Sequence, residues 1–212
     1  MNLYRVITTL QDPQLGEALE GFVADTLPAF KEIASAHPLQ FPEPGHCSMA
    51  ECFWLYYLVK ALQPAVVIES GTFHGYSLYF LRAAATGRVL GFEPTYEVQI
   101  STNEIDLYDH DWMSAPLDDV PWSDTLVFFD DHIDTDQRVQ ECIQRGVHHV
   151  IFHDNYLRLG QSHLSFRYAN LHGLINFQYV FPRLRSDPIF VDTTHNLQSY
   201  RWLTYAEIIL PT

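Results

Sequence analysis

The chain has 212 residues, 47% of them hydrophobic and 18% charged, a globular composition that excludes a disordered protein. At roughly 150 residues per domain it predicts one domain with an elaboration. Lys and Arg number 12 against 26 Asp and Glu, a net charge of −14. That charge repels phosphate backbones and anionic lipid, so neither nucleic acid nor a membrane is an expected partner, whereas a small molecule suits it. Cys47, Cys52 and Cys142 are too few for a disulfide framework and point to a reducing, cytoplasmic setting. No apolar run follows a basic patch at the N-terminus, and no stretch of about 18 apolar residues occurs, so neither a signal peptide nor a transmembrane helix is expected.

In chain order, residues 1–47 read as a helical accessory segment that could lid a pocket, and 48–212 as the main domain. Asp12-Pro13 has the form of a helix start. Leu15, Leu19, Phe22, Val23, Leu27 and Phe30 follow at helical spacing, and Pro38, Pro42 and Pro44 mark a connector. Ser48-Met49-Ala50-Glu51 is a capping box that opens a helix ending before Pro64. Strands are expected at Ala65–Glu69, Arg88–Glu93, Glu104–Tyr108, Thr125–Asp130 and Val147–His153. Helices are expected over Gly75–Ala85 and Asp134–Arg145. Strands alternating with helices predict a doubly wound, mostly parallel α/β sheet. Phe177–Phe181, Ile189–Asp192 and Tyr200–Ile209 lack intervening helices and read as antiparallel edge strands. The accessory helices and that edge could also form a homodimer face.

Ligands of such sheets collect at the carboxyl ends of the strands, and polar residues cluster there. Glu69 leads into Ser70-Gly71-Thr72-Phe73-His74-Gly75-Tyr76-Ser77. Glu93 ends the second strand, Asp109, His110 and Asp111 follow the third, Asp130-Asp131-His132 follows the fourth, and His153-Asp154-Asn155 follows the fifth. Gly71 and Gly75 would let a ligand approach the backbone. Neither G-x-G-x-x-G nor G-x-x-x-x-G-K is present, so nucleotide phosphates have no cradle. Glu93 lies 22 residues beyond Gly71, where an acid can accept from both hydroxyls of a ribose. Loop and acid together point to a nucleoside site.

E-S-G-T-F-H-G-Y-S followed by G-F-E-P resembles the first two motifs of class I S-adenosylmethionine-dependent methyltransferases, and residues 48–156 resemble that family in order and spacing. The resemblance implies a Rossmann-like fold with a seven-stranded sheet. It also implies that Glu69, Gly71 and nearby backbone hold the methionine part, Glu93 the ribose, and the Asp109–Trp112 stretch the adenine. The candidate cofactor-binding set is Glu69, Ser70, Gly71, Thr72, Gly75, Ser77, Glu93, Pro94, Asp111, Trp112 and Asp130.

V-F-F-D-D-H-I-D and I-F-H-D-N-Y resemble the paired metal motifs of the catechol O-methyltransferase-like branch and of macrolide sugar O-methyltransferases. By position, the implied metal ligands are Asp130, Asp154 and Asn155, a hard oxygen set suited to Mg²⁺, Mn²⁺ or Ca²⁺. Asp131 competes with Asp130 for that role. Where the catechol branch has a lysine base, this chain has Ile133, so His132 or His153 is the candidate base, beside Asp130. A softer ion such as zinc on His132 and His153 is the lesser option. His46, Cys47 and Cys52 are too few and too loosely spaced for a structural zinc site. The function expected is an S-adenosylmethionine-dependent O-methyltransferase (EC 2.1.1.-) for a hydroxyl of a small molecule. The alternatives are a non-methylating binder of S-adenosylmethionine or S-adenosylhomocysteine on the same fold, and a metal-dependent hydrolase using Asp130, Asp131, His132, His153 and Asp154.

Overall fold

The computed structural model describes residues 16–39, 46–101, 103–153, 173–181, 187–190 and 203–210. Its centre is β1 (Val66–Ser70), buried at every position, as an apolar run covered on both faces must be. Parallel neighbours flank it, β2 (Arg88–Phe92) on one side and β4 (Thr125–Phe129) on the other. Beyond them lie β3 (Asp106–Tyr108) and β5 (His149–Phe152), both parallel. β7 (Thr204–Ile208) pairs antiparallel with β5, and β6 (Ile175–Val180) antiparallel with β7. The seven-stranded order is β3-β2-β1-β4-β5-β7-β6, so strand order reverses between β1 and β4 and opens a crevice at their carboxyl ends.

Alternating side chains fill two cores. Val67, Leu126, Phe128 and Ile151 face one layer with α2 (Met49–Leu62) and α3 (Tyr76–Ala84). Val66, Ile68, Val127 and Val150 face the other, with Trp112 and with Val139 and Cys142 of α4 (Thr135–Arg145). Helix α1 (Gly16–Ser35) joins the first layer through Phe30, fully buried against Phe53, Tyr56 and Phe80. Among the described residues no helix is long and apolar enough to cross a membrane.

Most boundaries fall within a few residues of expectation, and three of the differences have a clear local reason. β5 begins at His149 rather than Val147, because Gly146 (φ 80°) caps α4 in the left-handed conformation and the Val147 amide turns back to the Cys142 carbonyl at 2.9 Å. β3 is confined to Asp106–Tyr108; Glu104 instead pairs with Arg82 at 2.8 Å. Ile189 is not in a strand: Pro188–Phe190 is a 3₁₀ turn, held by the Asp187 carboxylate accepting from the Ile189 amide at 3.0 Å. Asp12-Pro13 and residues 191–192 lie outside the described residues.

The capping box at α2 forms as its spacing predicts. Ser48 Oγ accepts from the Glu51 amide at 3.3 Å and Glu51 Oε2 from the Ser48 amide at 2.7 Å. Ser48→Ala removes one of the two bonds and should lower stability by about 1 kcal/mol; urea unfolding followed by far-ultraviolet circular dichroism measures it.

Candidate functional site

The tips of β1, β2 and β4 are locked together by main chain. The Asp130 amide donates to the Ser70 carbonyl at 2.8 Å, and the Gly71 and Thr72 amides donate to the Phe92 carbonyl at 2.9 and 3.2 Å. Gly71 sits at φ 88°, and a Cβ there would fall 2.5 Å from the Asp130 carbonyl carbon. The residue is therefore glycine because the β4 tip presses against it, a different reason from the ligand approach that the sequence suggests. Gly75 (φ 93°) likewise makes room for Ile100 and Val98 as the chain enters α3.

A cavity of about 410 Å³ opens over these tips, within the range of small-molecule sites. Of the candidate cofactor-binding residues, Ser70, Gly71, Glu93, Pro94, Asp111 and Asp130 line it, and His132 lines it too. Glu93 Oε2 accepts from the Phe73 amide at 2.6 Å, and Oε1 accepts from the Thr95 and Tyr96 amides at 2.9 and 3.1 Å. A carboxylate offers about four acceptor positions, so Glu93 has room for one more donor in this conformation, where the sequence suggested two ribose hydroxyls. Phe73 and Tyr96 meet edge to face beside it, with centroids 4.6 Å apart.

Glu69, Thr72, Gly75, Ser77 and Trp112 do not line the cavity. Glu69 is fully buried and accepts a hydrogen bond from Ser77 Oγ. Burial drives its carboxyl well above the ordinary 4.5; the Ser77 bond opposes this, and the charges of Asp130 and Glu93 add to it. Behind the loop, Glu69 thus holds its proton above the ordinary carboxyl range. Trp112 is corrected from adenine neighbour to core residue. It is fully buried, its Nε1 donates to Glu141 at 3.1 Å, and its ring packs edge-on against Phe129.

Asp131 and Asp130 have different surroundings, and Arg138 takes Asp131. Asp131 Oδ2 takes Ser70 Oγ and Arg138 Nη2 (2.7 Å), and Oδ1 takes the Ile133 amide at 3.1 Å, so its oxygens are committed to the protein. Arg138 is buried; it also meets Asp111 at 2.6 Å and Glu141 at 2.5 Å, over the Phe129 ring. Burial alone would lower its pKa, but the hydrogen bond to Asp111 and the charges of Asp131 and Glu141 raise it, so the guanidinium stays charged. Burial also raises the Asp111 carboxyl, yet Arg138 and the Met113 amide outweigh it and hold Asp111 below its usual range. Sequence reasoning missed Arg138, because an arginine three residues before Glu141 on a helix reads as a surface pair.

Asp130 turns the other way. Its Oδ1 lies 2.6 Å from His153 Nδ1, and Cys47 Sγ approaches its Oδ2 at 3.8 Å. His153 Nε2 lies 3.3 Å from Glu51 Oε1. The His153 side chain is fully buried, so it reaches the cavity through Asp130, whereas His132 (φ 57°) stands exposed at the cavity wall. Burial pushes Glu51 upward, but His153 and Ser48 outweigh it and hold the carboxyl below 4.5. The Cys52 hydrogen bond, then burial, raise the Cys47 thiol. Asp154 and Asn155 lie outside the described residues.

Two outcomes follow from these environments. Arg138→Met leaves three carboxylates without their cation and should cost roughly 3–5 kcal/mol of unfolding free energy in urea. Folded Glu69 keeps its proton above 4.5 while the unfolded chain releases it, so this residue's contribution to stability is full below that pH and falls as pH rises. Glu69→Gln should therefore gain on the parent chain as pH rises above the ordinary carboxyl range in thermal melts; a gap that does not change with pH would contradict the upward shift of Glu69.

No family model matches the chain, and no curated protein sequence matches it. Solved structures do. The O-methyltransferase TomG from Streptomyces achromogenes, in complex with S-adenosylmethionine, is 16% identical, with a TM-score of 0.57 over 85% of this chain and 89% of that one. The S-adenosylhomocysteine-bound methyltransferase PaMTH1 of Podospora anserina is 14% identical, with a TM-score of 0.56 over 85% and 88%. An O-methyltransferase from Bacillus cereus, in complex with S-adenosylhomocysteine, is 14% identical, with a TM-score of 0.54 over 91% and 97%. Likeness at this level of identity carries the architecture, and the chain has the Rossmann-like fold of class I S-adenosylmethionine-dependent methyltransferases.

Proposed function

We propose that the protein is an S-adenosylmethionine-dependent O-methyltransferase acting on a hydroxyl of a small molecule. The observation that carries this reading is the cavity over the β1, β2 and β4 tips, with the Gly71 loop on one wall and Glu93 on another. Similar folds bind S-adenosylmethionine or S-adenosylhomocysteine in the structures named above. The residues suit the cofactor. Glu93 has acceptor capacity left for a sugar hydroxyl, Tyr96 offers an aromatic face beside it, and the acidic wall of Asp111 and Asp130 suits a cationic ligand.

When bound, S-adenosylmethionine supplies a methyl group activated by its sulfonium. The chain's own residues would orient the acceptor and take its proton. His132, exposed on the cavity wall, would accept that proton directly. Asp130 would hold the acceptor hydroxyl, with His153 behind it setting the orientation of its carboxylate at 2.6 Å. Divalent-cation assistance at Asp130 with Asp154 and Asn155 belongs to the same proposal; a hard ion there would acidify the acceptor hydroxyl. Free, buried cysteines suit a reducing, cytoplasmic compartment.

Titration calorimetry with S-adenosylmethionine and S-adenosylhomocysteine is the first test. The parent chain should bind both, and Glu93→Ala should weaken binding at least tenfold, about 1.4 kcal/mol. A methyl-transfer assay on a panel of hydroxylated compounds follows. Asp130→Asn should abolish transfer, while weakening cofactor binding less than Glu93→Ala does. Loss of activity in EDTA should be reversed by Mg²⁺, Mn²⁺ or Ca²⁺ if a hard ion assists. Binding without transfer to any acceptor favours the non-methylating reading, and no binding at all overturns both.

A further inference from the structure

Cys47 and Glu51 lie together at the start of one helix, and His153 joins them from a distant part of the chain. Cys47 precedes α2, Glu51 sits in the first turn of α2, and His153 follows β5. Yet a thiol sulfur, a carboxylate oxygen and an imidazole nitrogen from the three lie within 4.8 Å of one another. Cys47 and His153 are each 2% exposed, and the Glu51 side chain is 12% exposed. We propose that Cys47 Sγ, Glu51 Oε1 and His153 Nε2 form a three-ligand site for a tetrahedral divalent ion with affinity for sulfur and nitrogen, zinc above all. This goes beyond the methyltransferase reading and does not depend on it.

Two of the three donors are held in place by their neighbours. Bond lengths of about 2.0–2.3 Å to zinc put neighbouring donor atoms about 3.3–3.8 Å apart on a tetrahedron. Glu51 Oε1 and His153 Nε2 are already 3.3 Å apart. Glu51 cannot swing away, because its other oxygen is held by the Ser48 amide at 2.7 Å. His153 is oriented from behind by Asp130 Oδ1, 2.6 Å from Nδ1. A carboxylate on the far nitrogen is the usual companion of a metal-bound histidine.

The donor set also chooses the ion. Thiolate with imidazole and one carboxylate selects zinc or cobalt over magnesium and calcium, which prefer all-oxygen shells. It differs from the set Asp130, Asp154 and Asn155, for here Asp130 orients a ligand instead of being one. Three protein ligands leave a fourth position for water or a substrate oxygen, the arrangement in which zinc acts as a Lewis acid. The neighbouring carboxylate of Asp130 lines the cavity.

The test uses the full-length protein stripped with EDTA and then titrated with Zn²⁺ and Co²⁺. One equivalent of Zn²⁺ should bind. Co²⁺ should give the visible bands of a tetrahedral ion together with a near-ultraviolet thiolate-to-cobalt charge-transfer band. Cys47→Ser, close to isosteric, should abolish the charge-transfer band, whereas Cys142→Ala should keep it. Glu51→Gln and His153→Gln should each weaken Zn²⁺ binding, and Asp130→Asn should weaken it about 10- to 100-fold. His132→Ala should leave it unchanged. No uptake by the parent chain, or a cobalt spectrum that Cys47→Ser does not alter, overturns the proposal. Because the readout is metal content and spectrum, failure of methyl transfer leaves it intact, and its own failure leaves cofactor binding intact.

Discussion

The arrangement of the site depends on one close approach, that of the Gly71 backbone to the carbonyl of Asp130. Nothing larger than a hydrogen fits between them, since a Cβ would lie 2.5 Å from the carbonyl carbon and the φ of 88° disfavours any side chain. This contact holds the β4 tip against the loop after β1, and the Phe92 carbonyl ties the same loop to β2. Three strand ends then act as one rigid platform. Because consecutive residues point in opposite directions, Asp130 and Asp131 leave it toward different partners. Asp131 goes to Ser70 and Arg138, and Asp130 to His153.

A chain of net charge −14 that gathers carboxylates at one end of a sheet must deal with their repulsion. Here each acid has its own solution. Burial raises the Glu69 carboxyl well above its ordinary range. Asp131 and Asp111 share the Arg138 guanidinium. Glu93 is surrounded by three backbone amides, and Asp130 and Glu51 share His153. The cavity thus keeps an acidic wall whose members are individually stabilised, and such a wall attracts a cationic ligand without collapsing onto itself.

Much of this was legible in the residues. The A-V-V-I-E and T-L-V-F-F-D runs become buried parallel strands because only a strand covered on both faces tolerates uninterrupted apolar sequence. The capping box at Ser48 and the helix start at Asp134 form where side-chain spacing places them. Glu93 and Gly71 do meet at one cavity. Less legible were the residues whose role depends on a distant partner. Trp112 looked like an adenine neighbour and is core, because Glu141 on α4 receives its Nε1–H. Nothing local in the sequence marks Arg138, which is the buried cation of the site. Cys47 and Glu51 looked unrelated to His153, since no local spacing joins them.

The sequence by itself determined the doubly wound α/β architecture and the acids at the strand ends, because apolar periodicity and turn chemistry act over a few residues and are written locally. Only the tertiary structure decided which of two adjacent aspartates faces His153 and which faces Arg138. It alone decided that Glu69 is buried away from the cavity, and that a cysteine, a glutamate and a histidine share one pocket. Those outcomes depend on burial and on pairs far apart in the chain, and these exist only once the strands have come together.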